Sequence, residues 1–232
     1  MPGSDPRSSP VARISRGALS ANAREARGRG IRSFDPSLLD ADAWGHGAEL
    51  VRSVLEAEEL VPGDSDRAQR RRDVEPWAMP GPATTLSPSW LFGLPDAQRA
   101  AAPALRLTGT VLSVKDLRAG EGVSYGYAYR ASTDTRVALV TGGYAQGIVR
   151  GLGGAVQVAI AGERHPVVGR VAMDVCVVEI RDAAVRRGQE VLFLGDPAQG
   201  EPSLHEWVRA TGLTAGELIT MVGLRAVREE AP

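Results

Sequence analysis

Between residues 104 and 196 the chain offers one β-prone segment after another and no helix. LRLTGTVLSVKDL, GVSYGYAYRA, RVALVTGGYA, AVQVAIAGERHPVVGRVAMDVCVVEI and QEVLFLGD are rich in Val, Leu, Thr and aromatic residues. Each is bounded by Gly, Asp or Pro turns, such as Arg118-Ala119-Gly120-Glu121 and Gly162-Glu163. Helical patterns return only at SLHEWVRATG (203–212) and AGELITMV (215–222). There Ser203 is a good N-cap, and Glu206 three residues on completes a capping box. The expectation is an all-β domain over 104–230, barrel-like and closed or nearly so, with two short helices near its end. It holds enough apolar strand residues to fold alone.

The first half has a different character, so the fold class reads as mixed α+β. Residues 1–10 are small, polar and proline-bearing and read as a disordered terminus. VARIS (11–15) is a short strand and GALSANAREARGRG (17–30) a helix stopped by glycines. IRSFDPSLLDA is a second strand broken by Pro36. AELVRSVLEAEEL (48–60) is an amphipathic helix whose apolar face is Leu50, Val51, Val54, Leu55 and Leu60. From about 61 to 88 Pro, Gly and charge dominate without a period, the mark of a linker, in which Trp77 and Met79 are candidates for docking.

Several functions are disfavoured at once. The net charge of −1 gives no bulk field toward nucleic acid or a membrane. The run Arg70-Arg71-Arg72 lies among Asp64, Asp66 and Asp73 and reads as a solvated loop face. No window matches a transmembrane helix, and the start lacks the apolar stretch of a secretory signal, so cytoplasmic residence is the default. A single cysteine, Cys176, in the apolar run VCVVEI, excludes an internal disulfide and reads as a buried, inert thiol. His46, His165 and His205 are scattered, so no metal set forms. Of 27 basic residues one is lysine, Lys115, which leaves 26 arginines. Chemistry that needs a side-chain amine has one candidate.

Four motifs stand in order in the β half: AGEGVSYGYAYRA (119–131), GGYAQG (142–147), GRVAMDV (169–175) and an R-x-x-R at Arg225 and Arg228. Together they resemble the C-terminal β-domain of the alanine racemase family, pyridoxal-phosphate enzymes, across roughly 104–230. The resemblance implies a homodimer in which the β-domain of one subunit completes a cofactor site in the (β/α)₈ barrel of the other. It makes Tyr125 the match of the family's catalytic tyrosine and Tyr144 that of a tyrosine near the substrate entrance. Met173 and Asp174 match residues near the substrate carboxylate. From the residues alone, Tyr125 is an aromatic in a Tyr-rich strand with Tyr127 and Tyr129 as period-2 neighbours, and Met173 and Asp174 are a strand-end core residue and a turn carboxylate.

LLDADAWGHG (38–47) resembles the family turn that carries the cofactor lysine. Residues 11–60 then look like the start of the family's barrel, 61–103 a linker ending in a barrel-exit segment, PSWLFGLP (88–95). The departures fall on the chemistry. The lysine position is Asp40, and a carboxylate cannot form an imine. The phosphate-binding tyrosine of the turn is Trp44, and Gly216 stands where a second tyrosine precedes Glu217. Pro88, with no N–H, falls near a phosphate-binding amide, and no arginine stands among Thr85, Leu86 and Ser87. Closing such a barrel takes eight strands and roughly 200 residues, whereas residues 1–103 supply two or three strands. Lys115 reads as a solvated strand-end lysine.

The resemblance with these departures implies an alanine-racemase-like protein that neither holds pyridoxal phosphate covalently nor racemises alanine alone. It would be a dimerising or partner-binding β-module, paired with itself or with a full-length alanine racemase. The alternative is a racemase component that supplies Tyr125 in trans to a partner's barrel.

Overall fold

The computed structural model describes residues 9–63, 85–97 and 101–232. Most of the expected disordered start and of the linker, with Arg70–Arg72, Trp77 and Met79, therefore lies outside the described residues.

Among the described residues thirteen strands, most of them short, are distributed over three sheets. The largest contains a closed ring. β5 (Leu105–Leu117), β8 (Thr135–Thr141), β11 (Val175–Glu179), β10 (Glu163–Val168), β9 (Gln157–Ile160) and β12 (Glu190–Leu194) pair in that order, every pair antiparallel, and β12 returns to β5. This is the expected barrel-like domain. β5 makes closure possible by changing partners along its length. Residues 107–110 pair with β12 and residues 111–117 with β8. At the changeover Gly109 lets the strands approach, since a Cβ there would stand 2.5 Å from the Thr141 carbonyl oxygen. Thr141 Oγ1 accepts the Thr110 N–H at 2.8 Å, replacing the ladder bond lost at the bend. Inward residues such as Leu107, Val140, Ile160, Val178 and Phe193 fill the interior. Cys176 lies among them, and burial pushes its thiol up to about 12, so it stays protonated.

β1 (Val11–Ser15), read above as the opening of the barrel start, lies instead in the β-domain sheet. The reason is an unfilled edge. On the β8 side residues 105–108 of β5 have no β8 partner, and β1 takes that place antiparallel while β13 (Val227–Ala231) pairs parallel with β1.

The remainder of the first half forms a small parallel sheet in the order β3 (Val61–Pro62), β2 (Ser33–Phe34), β4 (Thr85–Leu86). Helix α1 (Arg16–Gly28) precedes β2, and α2 (Ala48–Ala57) carries the chain from β2 to β3, a β-α-β step. Three strands of two residues form an arc, not a barrel. A short helix, α3 (Pro88–Leu91), follows β4. Buried Asn22 of α1 clasps this exit segment, donating to the Leu91 and Ala102 carbonyls at 2.9 and 2.8 Å and accepting from the Ala102 N–H at 3.0 Å. Helices α4 (Leu204–Thr211) and α5 (Ala215–Arg225) follow the barrel, with the expected capping box at Ser203 and Glu206. One apolar core runs from Leu19, Val54 and Phe92 into the barrel. Among the described residues no helix is long and apolar enough to cross a membrane.

Candidate functional site

The end of the barrel where β8 stops and β11 begins gathers three of the four matched residues. Gly142 donates to the Asp174 carbonyl at 2.8 Å, and the Tyr144 and Ala145 amides donate to the Ala172 and Met173 carbonyls, both at 3.0 Å. Gln146 closes the loop on itself, accepting from the Gly143 N–H and donating to Asp174 Oδ1, each at 3.0 Å. A side chain on Gly143 would overlap the Met173 carbonyl, so glycine is required there. Tyr144 and Met173 project outward as large exposed side chains, Met173 55% exposed. The Arg150 guanidinium stands 6.0 Å from the Tyr144 ring centre.

Tyr125 opens a tight turn, Tyr125–Tyr127, between β6 (Gly122–Val123) and β7 (Tyr129–Arg130). The run expected as one Tyr-rich strand is broken because Ser124, Gly126 and Tyr127 all adopt positive φ. The period-2 relation of the three tyrosines is thereby lost. Tyr127 is exposed, whereas Tyr129 donates to Glu179 Oε1 at 2.7 Å. Burial and then that carboxylate push the Tyr129 phenol up to about 12. Ser124 Oγ accepts the Arg170 N–H at 2.8 Å, which seats the turn on the segment that continues into Ala172–Asp174.

The LLDADAWGHG stretch forms the second feature. Ala41, Asp42, Ala43 and Trp44 have φ of 48, 55, 53 and 54°, a left-handed turn built without glycine. Such residues cost roughly 1–2 kcal/mol each, so contacts must hold the turn. Asp42 accepts the Ala48 N–H at 2.7 Å and pairs with Arg228 Nη1 at 2.6 Å. The Ala48 bond is the main influence holding its carboxyl below the usual range, against some desolvation. Trp44 Nε1 donates to the Ser37 carbonyl at 3.0 Å. His46 is fully buried and stacks on Phe92 at 4.0 Å, and its Nδ1 lies 3.0 Å from the Ala43 carbonyl. Burial lowers its pKa to about 4, so the ring is neutral at pH 7. Asp40 begins the turn and is exposed.

α5 joins the two features. On one side Gly147 of the GGYAQG loop abuts the Met221 carbonyl, where a Cβ would be 2.6 Å away. On the other, Gly45 packs on Gly223, and the Trp44 ring fills the space that a side chain at Gly216 would need. The sequence showed Gly216 and the R-x-x-R motif but not this bridging role. Arg228 was legible as a motif member, not as the partner of Asp42. Lys115 is an exposed residue near the end of β5, opposite Val137. His165 lies in β10 and His205 on α4, and no group of three or more potential metal ligands exists among the described residues.

A closed antiparallel barrel with a loop cluster at one rim, tied by a helix to a parallel strand–turn unit, defines a barrel-like β-domain joined to a short α/β segment. The model of the alanine racemase C-terminal domain matches residues 104–230, and the chain belongs to that family. It is 43% identical over 120 residues to alanine racemase of Mycobacterium avium, covering 51% of this chain and 31% of that protein. With alanine racemase of Mycobacterium leprae it shares 41% over 128 residues, 54% and 33% of the two chains. The chain thus spans about a third of the length of these curated relatives. Alanine racemase from a D-cycloserine-producing Streptomyces lavendulae superposes with a TM-score of 0.78 at 22% identity, covering 98% of each chain. That from Streptomyces coelicolor gives 0.78 at 20%, covering 96% of this chain and 98% of that one. At such identity the likeness is one of fold.

Proposed function

We propose that the chain is a cytoplasmic, alanine-racemase-like β-module that does not racemise alanine by itself and acts by pairing with a second copy or a full-length racemase. The observation that carries this reading is the donor set of the 40–47 turn. Position 40 offers an exposed carboxylate instead of an amine, and an imine needs an amine. The indole N–H at position 44 is committed to Ser37, and position 216 has no side chain. Lys115, the one lysine, sits on a barrel strand. These residues do not fit covalent pyridoxal phosphate. The rim supports the pairing, because Tyr144 and Met173 present exposed apolar surface on backbone-locked loops.

Incubation of the purified chain with pyridoxal phosphate should give no imine band trapped by borohydride and no conversion of L-alanine to D-alanine. Trapping on Lys115, or turnover, refutes the inactive reading. Size-exclusion with the host's full-length racemase at micromolar concentration tests the pairing, and separate elution of both proteins counts against it.

A second reading follows from the Tyr125 turn, whose strained backbone is held by the Ser124–Arg170 bond. In it Tyr125 acts in trans, as the acid/base beside a partner's cofactor. Tyr125→Phe should then lower the activity of the mixed complex, and unchanged activity removes this reading.

A further inference from the structure

Between the exit segment and the start of α4 lies a cavity of about 620 Å³. That volume lies within the roughly 300–1,000 Å³ of small-molecule sites. Its body is apolar, bounded by Leu94, Pro95, Pro103, Leu105, Leu194 and Ile219 among others. The segments that form it are locked on their own backbones. Gly93, at φ 65°, turns the exit segment so close to Ala102 that no Cβ fits, and the Ala104 N–H donates to the Phe92 carbonyl at 3.1 Å. On the barrel side the Gly195 N–H donates to the Pro202 carbonyl at 2.8 Å, which closes the 195–202 loop. Walls pinned in this way cannot relax inward to fill an apolar space.

Polar side chains reach this cavity only from the loop and helix start over 196–205, as Asp196, Ser203 and His205. Ser203 is committed to the capping box with Glu206. Asp196 uses Oδ1 on the Ala198 N–H at 2.9 Å, and its Oδ2 has no partner among the described residues. His205 is exposed and likewise has none among them. No arginine or lysine stands on the wall among the described residues. Beyond apolar contact, then, the cavity offers a carboxylate oxygen and an imidazole, which in its neutral form presents one lone pair. The carboxylate repels an anionic head and gives a hydroxyl no charge to pair with, whereas an ammonium donates to both acceptors.

We propose that this cavity binds a small hydrophobic monoamine. The hydrocarbon body fills the space between the exit segment and the barrel, and the ammonium group lies on Asp196 Oδ2 with the His205 ring as a second acceptor. An α-amino acid is excluded by its own carboxylate, which would meet Asp196 and no guanidinium. The assignment depends neither on the chemistry at position 40 nor on any partner chain.

The test is an amide-resolved NMR titration of the full chain at neutral pH with benzylamine, alongside benzyl alcohol, benzoate and methylammonium. Benzylamine should shift the Gly93, Gly195 and Leu204 amides saturably in the low millimolar range, with benzyl alcohol about tenfold weaker and benzoate and methylammonium weaker still. Asp196→Asn keeps an oxygen for the Ala198 N–H and removes the charge. It should reduce benzylamine to the level of benzyl alcohol and leave the alcohol unchanged. The proposal is overturned if benzylamine does not saturate by about 50 mM, if its saturating shifts fall outside the cavity, if benzyl alcohol or benzoate binds as tightly, or if Asp196→Asn leaves benzylamine binding unchanged. Because the aromatic probes share a ring and differ in the head group, their ranking on the parent chain decides the matter even where Asp196→Asn fails to fold.

Discussion

Gly223→Ala separates two effects that oppose each other. Gly223 lies within helix α5, and on helix propensity alone alanine should stabilise by about 1 kcal/mol. Yet its Cβ would stand 2.5 Å from the Gly45 carbonyl oxygen and 2.7 Å from the Gly45 carbonyl carbon and Cα. Normal carbon contacts begin near 3.5 Å, so helix and turn must separate by about an ångström. The neighbours are backbone atoms that cannot rotate aside, which places the overpacking cost near the upper end of its range, about 3 kcal/mol. The net is a destabilisation of about 2 kcal/mol, or a melting temperature lower by about 4–8 °C for a chain of this size. Thermal unfolding followed by circular dichroism measures the first number. Hydrogen exchange locates the damage, since the amides of Gly45, His46 and Gly47, bonded to Ala41, Ala43 and Asp42, should lose protection first. Gly28→Ala is the control. It ends α1 with nothing within 4 Å of its Cβ, and it should be neutral or mildly stabilising. If Gly223→Ala is as stable as the parent and the turn stays protected, the close approach does not hold the turn.

Three further outcomes are expected. Asn22→Ala removes three hydrogen bonds and strands the Leu91 carbonyl, so urea unfolding should show a loss of about 2–3 kcal/mol with the exit segment loosened; a loss under about 0.5 kcal/mol contradicts the clasp. His46 binds its proton less readily folded, near pH 4, than unfolded, near 6.5, so the native state holds fewer protons in that window. Its contribution is complete above pH 6.5 and declines as pH falls, by about 2 kcal/mol at pH 5. The slope should flatten in His46→Gln, and an unchanged slope means that His46 is not the group responsible. Asp40→Lys supplies an amine but not the phosphate partners, so borohydride should trap some pyridoxal phosphate while no D-alanine forms; racemisation by that variant would show that position 40 alone is limiting.

The barrel was legible because its strands are bounded by turn residues and uninterrupted by helices, and because Ser203 and Glu206 mark the first late helix. Local pattern could not show that VARIS belongs to the barrel sheet. That placement depends on an edge of β5 nearly a hundred residues away, left free because β8 pairs only above residue 110. The SYG run misled for a related reason. Tyrosines at alternate positions suggest a strand, but positive φ at Ser124 and Tyr127 is imposed by the seat on Arg170, a tertiary contact. Asp40 was readable as a carboxylate in the turn, whereas the commitment of Trp44 Nε1 to Ser37 was not, since both a free and a bonded indole have the same letter.

The strained turn bears on how the two halves depend on each other. Four non-glycine residues in the left-handed region cost roughly 4–8 kcal/mol together, and the three-stranded parallel arc is too small to hold them. The attachments come from the other half: the bare surfaces of Gly216 and Gly223 on α5, and Arg228 on β13. All three lie within the stretch that matches the family. The turn therefore keeps its shape with only an arc of parallel strands beside it, because the β-domain supplies its scaffold. The dependence also runs backward. Among the described residues β13 pairs with β1 alone, and β1 fills the open edge of β5. Removing the first half would leave β13 without a strand partner, expose residues 105–108 of β5 as an unpaired edge, and uncover the glycine face of α5. The apolar content of 104–230 is enough to form a core, but among the described residues the sheet of the β-domain is completed at this edge by residues 11–15.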